Sequence, residues 1–290
     1  MKRAVVLLAL AALRSRASAD KPIDRPQAID VDRGDTPAGR TELGFDGGAP
    51  VTGFGITLAT TWLEEPIAFG DIRPVRRRET VMLGGAIALG TSIVLDAQVA
   101  AAHQIGERLG DGTDLDRWVA TDPRVGARIH VVGNAMRAAF VRVDLALPTG
   151  DDGDFAGDAS WALAWRLIGR IRLGTVTLAA TAGIRLRGQE VIVGDRLVGD
   201  EGIFGVGAIV QLPALRPLWC EEGMKLTAEV TGILGNDVGM GQGPSPVEAR
   251  VGVVARPSGS VTIGVRAGRG LTEEIGAPSS RVTVELTYQR

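Results

Sequence analysis

A single cysteine, Cys220, stands in 290 residues, so no intrachain disulfide forms. Histidine is almost as rare: His103 and His130 are the only two. One thiol and two imidazoles leave too few ligands for a conventional zinc site. Aromatics are scarce, with six Phe, five Trp and one Tyr. The formal net charge is only −2, which gives no bulk electrostatic argument for nucleic acid. Beyond the N-terminus no stretch approaches 18 charge-free apolar residues, which excludes a membrane-spanning helix there. Glycine is abundant instead, at 40 residues. Much glycine with few aromatics suits a chain of many turns and small side chains.

The first residues read MKRAVVLLALAALRSRASAD. Lys2 and Arg3 make a basic start, residues 4–13 an apolar run, and Ala17-Ser18-Ala19 a small-residue cleavage site. Residues 1–19 are therefore expected to be a signal peptide, with the mature chain beginning at Asp20. No cysteine follows the site, so no lipid anchor is expected. Residues 20–50 are rich in Pro, Asp, Arg and Gly and read as an irregular periplasmic arm.

From residue 51 the apolar period is two, again and again. Phe54, Ile56, Leu58 and Trp62 share a face. Val125, Ala127, Ile129 and Val131 oppose Arg124, Arg128 and His130. Val141, Val143, Leu145 and Leu147 oppose Arg142 and Asp144. Twelve such segments fit the sequence, each near the ~9–11 residues of a tilted membrane strand. Connections alternate. Stretches 64–79, 103–121, 148–158, 188–199, 235–246 and 271–280 read as long loops; Gly90, Gly133-Asn134, Gly169-Arg170 and 256–260 read as tight turns. An enlarged turn at 213–223 breaks the rule. Long loops on one side and tight turns on the other are the outer-membrane pattern. The expected fold is all-β: a single antiparallel transmembrane β-barrel of about twelve strands over 51–289. A soluble periplasmic β-protein is the alternative, favoured by thin aromatic girdles, alanine-rich outer faces and a chain ending TYQR.

Four stretches carry a resemblance: TTWLEEPIAFG (60–70), DPRVGARI (122–129), LALPTGDDGDFAGD (145–158) and GAPSSRVTVELTY (276–288). They resemble outer-membrane barrels that often precede an OmpA-type peptidoglycan-binding domain. The LPTGD element at 147–151 is also similar to barrels linked to aromatic meta-cleavage pathways, described as admitting hydrophobic compounds. The resemblance spans most of 45–288. The sequence stops after the last expected strand, so the resemblance implies no wall-anchoring role.

In a barrel, charges opposite the aliphatic stripes face the lumen, because Arg or Lys facing lipid costs ~2–4 kcal/mol at the midplane. The expected lumen-lining residues are Asp96, Arg124, Arg128, His130, Arg142, Asp144, Lys225, Glu229, Glu248, Arg250, Arg266, Arg281 and Glu285. Apart from the histidine, seven are basic and five acidic. Such a set either lines a wet pore or cross-links the interior. Asp151, Asp152, Asp154 and Asp158 form an acidic loop expected outside the cell. It lacks the spacing and terminal Glu of a calcium-binding EF-hand, so a solvated loop and no metal are expected. GMGQG at 239–243 precedes no helix and cradles no phosphate. His103 reads as a loop residue, and neither Ser92 nor Ser160 reads as close to a histidine. No catalytic site and no cofactor are expected. The expected partners are outer-membrane lipid, lipopolysaccharide and the barrel-assembly machinery; no nucleic acid is expected. The functional expectation is passive passage of small solutes through a narrow charged lumen, the alternative a closed structural barrel.

Overall fold

A computed structural model of the chain describes residues 53–69, 72–89, 92–107, 114–134, 136–150, 157, 160–193, 196–212, 223–235, 245–272 and 276–290. The expected signal peptide, the arm at 20–50, the acidic-loop aspartates Asp151, Asp152, Asp154 and Asp158, and the 213–222 stretch with Cys220 lie outside the described residues.

The described strands are β1 (Phe54–Phe69), β2 (Ile72–Leu89), β3 (Ile93–Glu107), β4 (Asp114–Ala120), β5 (Arg124–Gly133), β6 (Arg137–Ala146), β7 (Ala162–Leu173), β8 (Val176–Arg187), β9 (Val191–Val193), β10 (Arg196–Val198), β11 (Glu201–Leu212), β12 (Met224–Gly235), β13 (Val247–Ser258), β14 (Val261–Gly270) and β15 (Ser280–Gln289). The sheet closes, because β1 pairs antiparallel with both β2 and β15. The ring then runs through β3, β5, β6, β7, β8, β11, β12, β13 and β14. It has twelve staves. One is shared: β3 pairs with β5 along Ile93–Gln98 and with β4 along Ala101–Glu107. That stave breaks at Thr121-Asp122-Pro123, where proline offers no N–H to a ladder. β9 and β10 form a separate hairpin.

Sidedness is inverted relative to a soluble protein. Leu83, Val99 and Val251 are 52%, 56% and 62% exposed, while Arg142, Glu229 and Thr287 are 5%, 4% and 0% exposed. The aliphatic stripes point out, and the charged and threonine stripes point in. An exterior this apolar is stable only in lipid, and closure leaves no edge with unpaired backbone groups in the hydrocarbon. The outer face changes character along one row of cross-strand neighbours: Trp62, Glu79, His103 and Trp118. Trp62 donates its indole N–H to Glu79, and His103 stacks on Trp118 with ring centres 5.4 Å apart. Past that row the surface is charged, with Glu64 and Arg77 paired outside. At the other end Phe54 and Tyr288 pack together at 6.2 Å. From Phe54 to Trp62 the strand climbs ~26 Å, or ~20 Å along a barrel axis tilted by ~40°. That approaches the ~25 Å apolar band of such barrels.

Several sequence expectations need correction. Residues 64–79 are not a loop, since β1 and β2 continue as paired strands to Phe69 and from Ile72. Nor is 103–121, which holds the end of β3 and all of β4; His103 therefore lies in a strand. The cause is that charged side chains such as Glu64, Arg76 and Arg77 interrupt the aliphatic stripe once the wall leaves the membrane. Pairing satisfies the backbone there while exposed charges meet water. The stretch 188–199 holds the β9–β10 hairpin. Gly169-Arg170 is not a turn: both sit inside β7, opposite Ala180 and Ala179. The turn is Gly174-Thr175, where Gly174 has φ +62° and glycine escapes the Cβ clash.

At the long-connection end the four short motifs meet in two pairs. Asp122 of DPRVGARI accepts N–H bonds from Thr149 (3.0 Å) and Gly150 (2.7 Å) of LPTGD. The Leu147 N–H donates to the Pro123 carbonyl at 3.0 Å. Likewise Ser279 N–H and Gly276 N–H of the last motif donate to Glu64 and Pro66 of the first, at 2.9 and 3.0 Å. Asp122 is 3% exposed, and its loss removes the charged acceptor of both N–H groups. Asp122→Ala is expected to cost ~1–3 kcal/mol, and Asp122→Asn, which keeps a carbonyl acceptor, to recover most of it. The temperature at which the folded band shifts to unfolded mobility in a detergent gel measures this.

Candidate functional site: the charged inner wall

The inner face carries three clusters of ion pairs. In the first, Arg142 on β6 makes a two-pronged contact with Asp96 on β3, at 3.0 and 2.9 Å. It also donates to Asp144 at 3.0 Å, and Arg166 on β7 donates to Asp144 at 2.8 Å. Residue 126 lies between the two aspartates in register, opposite both. It is glycine. A Cβ there would stand 2.8 Å from each aspartate and 2.9 Å from the Arg142 guanidinium. The missing side chain is the space the cluster occupies.

The second cluster lies around β12–β15. Glu248 accepts from Arg250 (3.1 Å) and Arg281 (2.8 Å); Arg250 faces Glu229 at 3.7 Å; Arg266 donates to Glu285 at 2.7 Å. Gly264 again makes room, since a Cβ there would meet the Glu285 carboxylate. The third is Glu201 with Arg185 and Arg187, at 3.3 and 3.4 Å. A neutral seam separates clusters at β1–β15, where Thr57 meets Thr287 at 2.9 Å and Thr61 meets Thr283 at 3.1 Å. Between the first two clusters lies a cavity of about 80 Å³, lined by Asp96, Arg124, Arg142, Asp144, Glu248 and Arg281 among others. It has room for several waters.

Of the thirteen residues expected in the lumen, Asp96, Arg128, Arg142, Glu229, Glu248, Arg250, Arg266, Arg281 and Glu285 are buried, and Arg124, His130, Asp144 and Lys225 are half-buried. Arg128 stands opposite Arg142, and His130 opposite Phe140, as hairpin pairing requires. Arg266 lies on the strand next to Glu248 and Arg250 but pairs with Glu285 on its other neighbour, and Arg281 reaches Glu248 across β14. The sequence reading missed Arg78, Arg166, Arg170, Arg172 and Glu201 and left Arg185 and Arg187 uncounted. For β7 the signal existed: Arg166, Arg170 and Arg172 keep period two through Leu173, but a turn placed at Gly169 hid the last two. His103 faces outward, its Nε2 2.9 Å from Asp116. Ser92 is closer to His130 than expected: its carbonyl accepts the His130 backbone N–H at 2.7 Å.

Gly126→Ala is expected to lower stability by ~1–3 kcal/mol, because overpacking splits the aspartates from Arg142. Gly169→Ala, where nothing lies within 4 Å of the added Cβ, is the matched control and should leave the melting temperature unchanged. Equal effects at the two sites would refute the packing role of Gly126.

No family model and no curated protein sequence matches the chain. Solved structures do. An outer membrane channel from Pseudomonas putida F1 aligns with a TM-score of 0.62 at 14% identity, covering 84% of this chain and 98% of that one. The NanC porin gives 0.54 at 4% identity, covering 81% and 99%. The KdgM porin gives 0.50 at 9% identity, with the same coverages. Identities this low establish the fold: this chain is built like outer-membrane channels and porins.

Proposed function

We propose that the chain is an outer-membrane pore for passive passage of small solutes, with a preference for anions. The observation that carries this is the direction of the ion pairs. Each inner-wall pair given above lies within one strand or joins strands one or two staves apart. The charges thus run along the wall instead of across the lumen, which supports an open bore over a plug of cross-links. The anion preference follows from the count. Among the described residues, adding Arg78, Arg166, Arg170, Arg172, Arg185 and Arg187 raises the seven expected basic groups to thirteen, and adding Glu201 raises the five expected acids to six. A surplus of fixed positive charge in a narrow bore raises local anion concentration. The likeness of the short motifs to barrels ahead of peptidoglycan-binding domains, or of aromatic meta-cleavage pathways, is a finer reading. Against the latter, this wall favours anions over uncharged hydrophobic compounds. The partners on this reading are outer-membrane lipid, lipopolysaccharide and the assembly machinery that inserts barrels.

Purified protein in a planar bilayer should give single-channel conductance and, in a salt gradient, a reversal potential on the anion side. Arg124→Glu, on the cavity wall, should move that potential toward cations. A silent bilayer with correctly folded protein would sink the transport reading and favour the closed barrel.

A further inference from the structure

The arginines of the inner wall are not equivalent. Arg142, Arg166, Arg185, Arg187, Arg250, Arg266 and Arg281 each contact a carboxylate. Arg170 and Arg172 contact none among the described residues. Arg170 lies over the Phe140 ring, 5.4 Å from its centre, and its Nε is buried without a hydrogen-bond partner. Arg172 donates to the Gln211 side chain and the Gly174 carbonyl, both neutral and both at 3.3 Å. A third cation, Arg128, lies over the same ring at 5.2 Å. This is the short-turn end of the wall, beside Gly174-Thr175. Strands β5, β6, β7, β8 and β11 carry only two acids, Asp144 and Glu201, and both lie toward the opposite end.

The surroundings of these guanidiniums are apolar. Phe140 stands opposite Ile168, Arg170 stands opposite Ala138 and Ala179, and Ala179 packs on Ile209. Ile168, Ala179 and Ile209 are 2%, 7% and 5% exposed. Two facts therefore coincide on one patch: the two cationic forks of Arg170 and Arg172, with no carboxylate against them among the described residues, and the apolar side chains beside them. Guanidinium forks match the two oxygens of a carboxylate, and a ring that already holds Arg170 keeps it from collapsing onto a distant acid.

We infer that Arg170 and Arg172, with Arg128 and the Phe140–Ile168–Ile209 floor, form a binding site for the carboxylate of a small organic acid with an apolar body. The site needs the barrel fold but not conduction, so it stands apart from the pore reading.

The test is equilibrium titration of folded protein in detergent with hexanoate, acetate and inorganic phosphate, followed by carboxyl ¹³C or ³¹P resonance shifts, with empty micelles as blank. Saturable hexanoate binding, at least about tenfold tighter than acetate, is expected, since burying even part of the longer chain is worth that ratio. The Arg170→Gln/Arg172→Gln double variant, checked for folded gel mobility, should lose it. The comparison of the three anions on unaltered protein decides the matter even where that variant does not fold. Absent saturable binding, acetate equal to hexanoate, tighter phosphate, or binding retained in the folded double variant each overturn the site. Bilayer conductance measured on the same preparation separates the two readings. A silent barrel that binds hexanoate removes the pore and keeps the site, and a conducting barrel that does not bind it does the reverse.

Discussion

Everything in this fold depends on the pairing of its first strand with its last. Phe54 and Arg290 exchange backbone hydrogen bonds at 3.0 and 2.9 Å, and the β1–β15 ladder continues from there to Glu64 opposite Ser280. Without that seam the sheet would present two rows of unpaired N–H and C=O groups to hydrocarbon, each costing several kcal/mol. Closure removes them and creates an inside. Once an inside exists, strand alternation sorts the chain: aliphatic stripes go to lipid and charged stripes go inward. The seam is fixed by groups that suit both faces. Thr57, Thr61, Thr283 and Thr287 bond pairwise within, while Phe54 and Tyr288 pack outside.

Sorting by alternation leaves a packing problem, because long Arg and Glu side chains must share a narrow bore. Glycine solves it locally. Gly126 and Gly264 lie beneath carboxylates or guanidiniums that would collide with any Cβ. The high glycine content therefore has a second origin besides turns. A carboxylate laid over a glycine in the neighbouring stave meets the guanidinium from the stave beyond, as Asp96 meets Arg142 over Gly126.

The architecture was legible in the sequence because lipid enforces period two over long runs. Twelve staves and their sidedness follow from that single rule, and with them the inward positions of residues such as Arg142 and Asp144. The rule failed where lipid stops acting. Beyond Trp62 and His103 the outer face meets water, charges replace aliphatics, and paired strands read as loops. Within β7 the failure was of another kind. Gly169 suggested a turn, although Ile171 and Leu173 keep the outward stripe and Arg170 and Arg172 keep the inward one. Two of the least neutralised cations on the described wall were lost to that one glycine. The partner of each charge was not legible either. Arg266 has a neighbour on both sides, and only three-dimensional register decides that it meets Glu285 rather than Glu248.

Register is also where the ion pairs matter most. A one-residue slip between staves would turn charges to lipid, so the bilayer forbids it. A two-residue slip would not, because every stripe would keep its side. Lipid is uniform and cannot tell one such register from the next. Turns fix part of the answer, at Gly174-Thr175 for example. Strands β6 and β7 are joined by a long connection instead of a tight turn, and there the interior must choose. Asp144 now stands opposite Ala164, and Arg142 opposite Arg166. Sliding β7 by two residues, so that Ala162 came opposite Asp144, would carry Arg166 opposite Phe140 and away from the carboxylate. Asp144 would then keep one cation instead of two, at a cost that buried charges make steep. The first cluster, with Gly126 as its only compatible floor, thus contributes register specificity that neither the apolar exterior nor the backbone ladder supplies.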